Sequence, residues 1–134
     1  MFSNRHSKPQ NRIDSLVGAG TRIEGNVSFT GGLRVDGEIR GNVIADLSKP
    51  STLVLSEQAR VDGEIKVSHL VVNGTIVGPV NASEYLELQS KAKVTGDVHY
   101  KTLEIQLGAI VEGRLIHLVE AEDKVVAFKL GASE

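Results

Sequence analysis

Hydrophobic and polar residues alternate along much of this chain. In GLRVDGEIRGNV (residues 32–43) one parity holds Leu33, Val35, Gly37, Ile39, Gly41 and Val43. The other holds Arg34, Asp36, Glu38, Arg40 and Asn42. A period of two predicts strand, since helical apolar positions recur at a period near 3.6. Glycine is unusual inside a strand, yet two glycines occupy the apolar parity.

The pattern then returns. Apolar-any-Gly-any-apolar occurs at 23–27, 39–43, 61–65, 76–80, 94–98 and 111–115. Its central glycines are Gly25, Gly41, Gly63, Gly78, Gly96 and Gly113, separated by 16, 22, 15, 18 and 17 residues. The long step contains residues 46–51, a turn-rich insertion that reads as a surface loop. A second motif, Leu-any-apolar, keeps pace at Leu33/Val35, Leu53/Leu55, Leu70/Val72, Leu86/Leu88 and Leu103/Ile105. LRVDGEIRGNVIA (33–45) and LVVNGTIVGPVNA (70–82) agree at 7 of 13 positions.

Self-similarity at a fixed step signals a repeat architecture. The step is too short for helical repeats, which run at about 33 to 47 residues. Three short strands and tight bends fit about 17 residues. The expectation is therefore an all-β, single-domain parallel β-helix of about six coils with a triangular cross-section. At the usual strand spacing six coils make a rod core roughly 25 to 30 Å long. The glycines, with Ala59, Ala92 and Ala109 four residues before three of them, are read as small residues at crowded inward positions near the bends. A β-sandwich with glycine turns is the competing reading, but it has no reason to hold a 17-residue register.

The termini differ from this core. Residues 1–12 carry Arg5, Lys8 and Arg12, no acidic residue and Pro9, and read as a disordered basic tail. The β-helix domain is expected over 13–130, with a short disordered end at 131–134. After Leu118 an acidic stretch leads into Val125, Val126, Ala127, Phe128, Lys129 and Leu130, which reads as a loop and one last strand.

Composition narrows the function. The chain has 134 residues, 14 glycines, no cysteine and no tryptophan, so its core must come from aliphatic residues. Disulfides and thiolate metal sites are excluded. No apolar run approaches a membrane span, and no apolar signal region opens the chain, so a cytoplasmic location is expected. The net charge of −2 gives no footprint for nucleic acid.

Catalytic chemistry is hard to place. There is no P-loop, and the run from Gly18 to Ile23 lacks the third glycine of a dinucleotide fingerprint. His99 and His117 lie 18 apart and could stack on neighbouring coils as a metal or pH-sensitive pair, though solvated histidines placed by the repeat are the plainer reading. An acyltransferase-like β-helix needs strict hexads, which the uneven steps break. Asp36, Glu38, Asp62 and Glu64 read as a solvated face, because calcium β-rolls need tandem glycine-rich nonapeptides. Asn73-Gly74-Thr75 matches a glycosylation acceptor, which the expected cytoplasmic location would make meaningless.

Repeated VDGEI and IRGNV units in a cysteine-free chain of this size resemble the bactofilins, bacterial cytoskeletal proteins. The resemblance covers about residues 13–118, and the Met1-Phe2-Ser3 start with nearby basic residues resembles the membrane-targeting tail of many members. It implies a right-handed helix that stacks end to end into non-polar, nucleotide-independent filaments, without enzymatic activity or cofactor. The partners it implies are further copies of the chain, the inner face of the cytoplasmic membrane, and cell-wall remodelling or cell-shape factors. The alternative from another class is a discrete β-helix oligomer with an acyltransferase-like site.

Both end coils leave strand edges unpaired, and no capping helix is evident. Val126, Phe128 and Leu130 at one end and Leu16 at the other are the expected polymerisation residues, the second surface being the unranked stretch from Leu16 to Val27. In the tail, Met1, Phe2, Arg5, Lys8 and Arg12 are the expected membrane-binding residues, with about 1 kcal/mol per basic group near an anionic surface.

Overall fold

The computed structural model describes residues 12–119. The chain winds through about six coils of three strands each. The first coil holds β1 (Ser15–Val17), β2 (Arg22–Glu24) and β3 (Val27–Phe29). The second holds β4 (Gly31–Val35), β5 (Glu38–Arg40) and β6 (Val43–Ala45). The third begins with β7 (Ser51–Leu55) and β8 (Arg60–Asp62), then enters β9 (Ile65–Val72), which turns a corner into the fourth. β10 (Thr75–Val77) follows, and β11 (Val80–Leu88) turns into the fifth. The fifth is completed by β12 (Lys93–Thr95) and β13 (Val98–Tyr100). β14 (Leu103–Ile105), β15 (Ile110–Glu112) and β16 (Leu115–His117) form the sixth.

Every pairing between these strands is parallel and joins one coil to the next. The first and third faces merge into one ten-stranded sheet, because β9 and β11 run round their shared corner. The second face is a separate six-stranded sheet, β2-β5-β8-β10-β12-β15. On it Ile23, Ile39, Val61, Ile76, Val94 and Val111 stand in one file, each beside the next. The steps along that file are the glycine steps of the sequence. The β-helix expectation is met.

Alternation puts one parity of every strand inside the tube. A middle coil buries Leu70, Val72, Ile76, Val80 and Ala82 completely or nearly so. Burying each aliphatic side chain contributes about 1.5 to 3 kcal/mol. β-Branched residues suit this interior, since their restricted rotamers fit a pleated surface.

The repeat glycines occupy the corner between the second and third faces, and their cause differs from the one read in the sequence. Gly78 has φ +146°, and a Cβ there would lie 2.7 Å from the carbonyl carbon of Gly63, one coil earlier. Gly41, Gly63, Gly96 and Gly113 meet the preceding glycine's carbonyl in the same way. The crowding runs along the rod axis, from coil to coil, rather than inward. Gly25, in the first coil, has nothing within 4 Å.

Side chains beside this glycine file stitch the coils together. The Asn42 N–H donates to Asn26 Oδ1 at 2.9 Å, and the Glu64 N–H donates to Asn42 Oδ1 at 2.9 Å. Pro79 has no N–H and interrupts the ladder. It resumes where the Arg114 N–H donates to Asp97 Oδ1 at 3.0 Å. Residues 46–50 form the expected exposed loop, with the Ser48 N–H held by Asp46 Oδ1 at 3.0 Å. Ser51 is not part of it. It is buried at the start of β7 and pairs with Ser68: the Ser51 N–H donates to Ser68 Oγ at 2.8 Å, and Ser68 Oγ donates to the Ser51 carbonyl at 2.8 Å.

Candidate assembly surfaces at the two ends

The interior of a solenoid is covered only where another coil follows. Among the described residues, nothing lies beyond the first coil or the sixth. In the first coil Ile23, Val27 and Phe29 are only half-buried, whereas their counterparts Ile39, Val43 and Ala45 are buried. Leu16 is 59% exposed and stands in register with Arg34, on the outward side of the first face. The end surface itself is made by Ile23 and Val27, inside the stretch 16–27 that the sequence points to, and by Phe29, just beyond it.

The sixth coil exposes more. Leu103 and Val111 are half-covered, and Ile105 and Leu115 are exposed, though all four continue inward files that are buried in the coils before. Two further apolar residues point outside the tube. Leu107 is 96% exposed at the corner, and Ile110 is exposed in a file that elsewhere holds Arg22, Glu38, Arg60, Thr75 and Lys93.

Charges on the second face form a checkerboard over the first three coils. Within strands, Arg22 Nε lies 3.2 Å from Glu24, Arg40 Nε 3.0 Å from Glu38, and Arg60 Nε 3.0 Å from Asp62. Across strands, Arg22 stands beside Glu38 and Glu38 beside Arg60, while Glu24, Arg40 and Asp62 alternate in the next file. Hydrogen bonding and charge from Glu38, with Glu24 and Asp62 adding to it, raise the pKa of Arg40. Exposed pairs of this kind contribute little each to stability.

His99 and His117 do not stand beside one another on neighbouring coils. The last step on the third face is 17 residues, so His99 stands beside Ile116 and His117 beside Tyr100. The His117 ring lies 5.5 Å from that of Tyr100. His69 sits in register with Thr52 and Tyr85, its Nδ1 2.8 Å from Ser68 Oγ. Among the described residues no group of three or more His, Asp or Glu side chains is arranged to hold a metal ion.

Of the other expected site residues, Met1, Phe2, Arg5, Lys8, Val126, Phe128 and Leu130 lie outside the described residues. Arg12 is described, with its Nε 3.0 Å from Asp14 Oδ1 at the rim of the first coil. No helix among the described residues is long and apolar enough to cross a membrane.

A rod of parallel coils, whose end coils are left uncovered among the described residues, falls in the β-solenoid class, whose open edges accept further strands unless something blocks them. The bactofilin family model, described as polymer-forming cytoskeletal, matches residues 15–116. The chain belongs to the bactofilin family. It is 28% identical over 109 residues to Bactofilin BacP of Myxococcus xanthus (strain DK1622), an alignment covering 81% of this chain and 44% of BacP. It is 24% identical over 102 residues to Bactofilin BacO of the same strain, covering 76% of this chain and 78% of BacO. The chain thus spans less than half the length of the first of these relatives. No solved structure gives a significant match.

Proposed function

We propose that this bactofilin is a cytoskeletal scaffold that stacks end to end into nucleotide-independent, non-polar filaments. The observation that carries the reading is that, among the described residues, the coil interior is left uncovered at each end of the rod. Stacking pairs the open strand edges and removes apolar surface from water, at about 25 cal/mol per Å².

The charge order on β2 favours a head-to-head joint. Around a dyad through Ile23, β2 runs antiparallel to its copy, so Arg22 faces the partner's Glu24 and Glu24 faces the partner's Arg22. The checkerboard continues across such a joint. In a head-to-tail joint the position matching Arg22 on β15 is Ile110, which offers no charge.

Negative-stain electron microscopy of the purified chain in nucleotide-free buffer tests the reading. Filaments are the expected result, and a discrete closed oligomer would overturn it. At the other end, Val126, Phe128 and Leu130 are the proposed contact residues. Phe128→Arg should shorten or abolish filaments while leaving the circular dichroism of the β-helix unchanged.

The basic segment that precedes the rod is proposed to hold the filament to an anionic membrane through Met1, Phe2, Arg5, Lys8 and Arg12. Many such segments along one filament add their weak affinities. Co-sedimentation with anionic liposomes, comparing the full chain with one starting at Ile13, tests this; equal pelleting rejects the segment as anchor. The clients of such a scaffold would be cell-wall or cell-shape factors gathered along it.

A further inference from the structure

We infer that copies of this chain pair side by side through the outer surface of the first face, antiparallel, about a dyad that runs between β7 and β9. The contact acts between filaments, so it rests on the stacking reading above and adds a lateral surface to it.

The outer surface of the first face carries one file in strand register: Leu16, Arg34, Val54, Val71, Glu87 and Glu104. Two half-buried valines occupy its middle, with a cation on one side and carboxylates on the other. A second file follows at the corner: Asp36, Ser56, Asn73 and Gln89. Their N–H groups donate to Val17, Val35, Leu55 and Val72 of the coil before.

A dyad parallel to the strands lays each file against itself in reverse order. With the axis between β7 and β9, Arg34 meets the partner's Glu87 and Val54 meets the partner's Val71. In the corner file Asp36 meets the partner's Gln89, a carboxylate against an amide donor, and Ser56 meets the partner's Asn73. Each contact occurs twice. Leu16 and Glu104 fall at the rim, where both stay in water. Moving the axis onto β7 sets Arg34 against Val71, and moving it onto β9 sets Glu87 against Val54. Either shift desolvates a charge against a valine. A parallel pairing sets Arg34 on Arg34 and Glu87 on Glu87. Only the one register satisfies both files.

Contacts within the chain leave these charges available. Arg34 is held through Nε, 3.0 Å from Asp36 Oδ1, and its outer nitrogens have no partner among the described residues. Glu87 accepts from neutral donors: Tyr85 Oη at 3.4 Å, Gln89 Nε2 at 3.1 Å and Gln106 Nε2 at 3.3 Å. Glu104 stands beside it in register and accepts from Tyr85 Oη at 2.7 Å. Neither carboxylate has an ion pair among the described residues, and like charges side by side on neighbouring strands repel. A guanidinium brought by a second copy offsets that repulsion.

The matched surface runs from β4 to β11 and measures roughly 19 Å by 17 Å. Over both copies that is about 600 Å², half of the ~1,200 Å² at which stable interfaces begin. Isolated rods therefore hold one another weakly, and filaments that present the face repeatedly add their contacts.

Charge exchange tests the pairing, with bundling read by low-speed pelleting and negative-stain electron microscopy. Wild-type filaments should lie in antiparallel pairs or bundles at low salt and separate as salt screens the charges. Arg34→Glu and Glu87→Arg should each need roughly 2- to 30-fold more protein to bundle, from two lost pairs per contact. Arg34→Glu combined with Glu87→Arg should restore bundling, because both contacts reverse together. Mixing preformed filaments of the two single variants should also give bundles. Circular dichroism unchanged from wild type shows that the exposed substitutions keep the fold. Single variants that bundle like wild type, or a double variant that does not recover, would overturn the proposal. Wild-type filaments that stay single at low salt would refute the lateral contact and leave stacking intact. Rods that pair with this charge dependence but never form filaments would do the reverse. Rods that neither stack nor pair would overturn both.

Discussion

A Cβ on Gly78 would point at the carbonyl of Gly63, one coil below it, and meet the carbonyl carbon at 2.7 Å. Backbone cannot yield there without parting the coils. Gly78→Ala should therefore destabilise the rod by about 2 to 4 kcal/mol, combining a backbone clash with a φ that side chains avoid. Gly25→Ala meets nothing within 4 Å and keeps only the strain of its φ of +135°. It should cost about 1 kcal/mol. Urea unfolding followed by circular dichroism, at one fixed protein concentration, ranks the two.

Ser51 and Ser68 form a closed pair of buried hydroxyls, each serving the other's backbone. Removing one leaves its partner's polar groups unsatisfied in the interior. Ser68→Ala should cost about 1 to 3 kcal/mol. The double variant with Ser51→Ala should cost less than the sum of the singles, because the second change removes a group already orphaned. A double-mutant cycle by urea denaturation gives that coupling.

Burial holds His69 below its usual pKa of 6.5, against the opposing influence of Ser51 and Glu84. The folded state therefore takes up a proton less readily than the unfolded chain. This contribution to stability is fully present above pH 6.5 and is lost as the pH falls through the lowered folded value. His69→Gln should flatten the stability profile in that window and leave it unchanged near pH 8. Denaturation midpoints between pH 5 and pH 8 provide the comparison.

Arg22→Glu replaces a guanidinium by a carboxylate opposite the partner's Glu24, at both symmetric contacts of a head-to-head joint. Two lost pairs at about 0.2 to 1 kcal/mol each raise the critical concentration for assembly roughly 2- to 30-fold. Exchanging both charges, Arg22→Glu with Glu24→Arg, should restore assembly. Sedimentation at a series of protein concentrations reads the shift; an unchanged critical concentration for Arg22→Glu would exclude β2 from the joint.

Leu70→Ala removes a fully buried side chain from a middle coil, between Leu53 and Leu86. The tube wall is hydrogen-bonded backbone and cannot collapse onto the gap. A loss of about 3 to 5 kcal/mol is expected, again by urea denaturation.

The repeat itself was legible in the order of residues. A solenoid pairs each coil with the last, so its register must appear as spacing. The glycine steps of 16, 22, 15, 18 and 17 are the strand register of the second face, and the long step is the loop at 46–50. Inside and outside followed from alternation alone, because successive side chains leave opposite faces of a strand.

What alternation could not carry was direction along the rod and distance across it. Only the folded chain showed that the glycines make room for the coil below rather than for the interior. It also separated His99 from His117, since one residue of register decides which side chains become neighbours. The serine pair was invisible because its members lie 17 residues apart in a corner that no periodic pattern marks. The ends, too, were defined by the tertiary structure. Whether Ile23 or Val111 is core or surface depends on whether another coil lies over it, and that is a property of the stack, not of the residue.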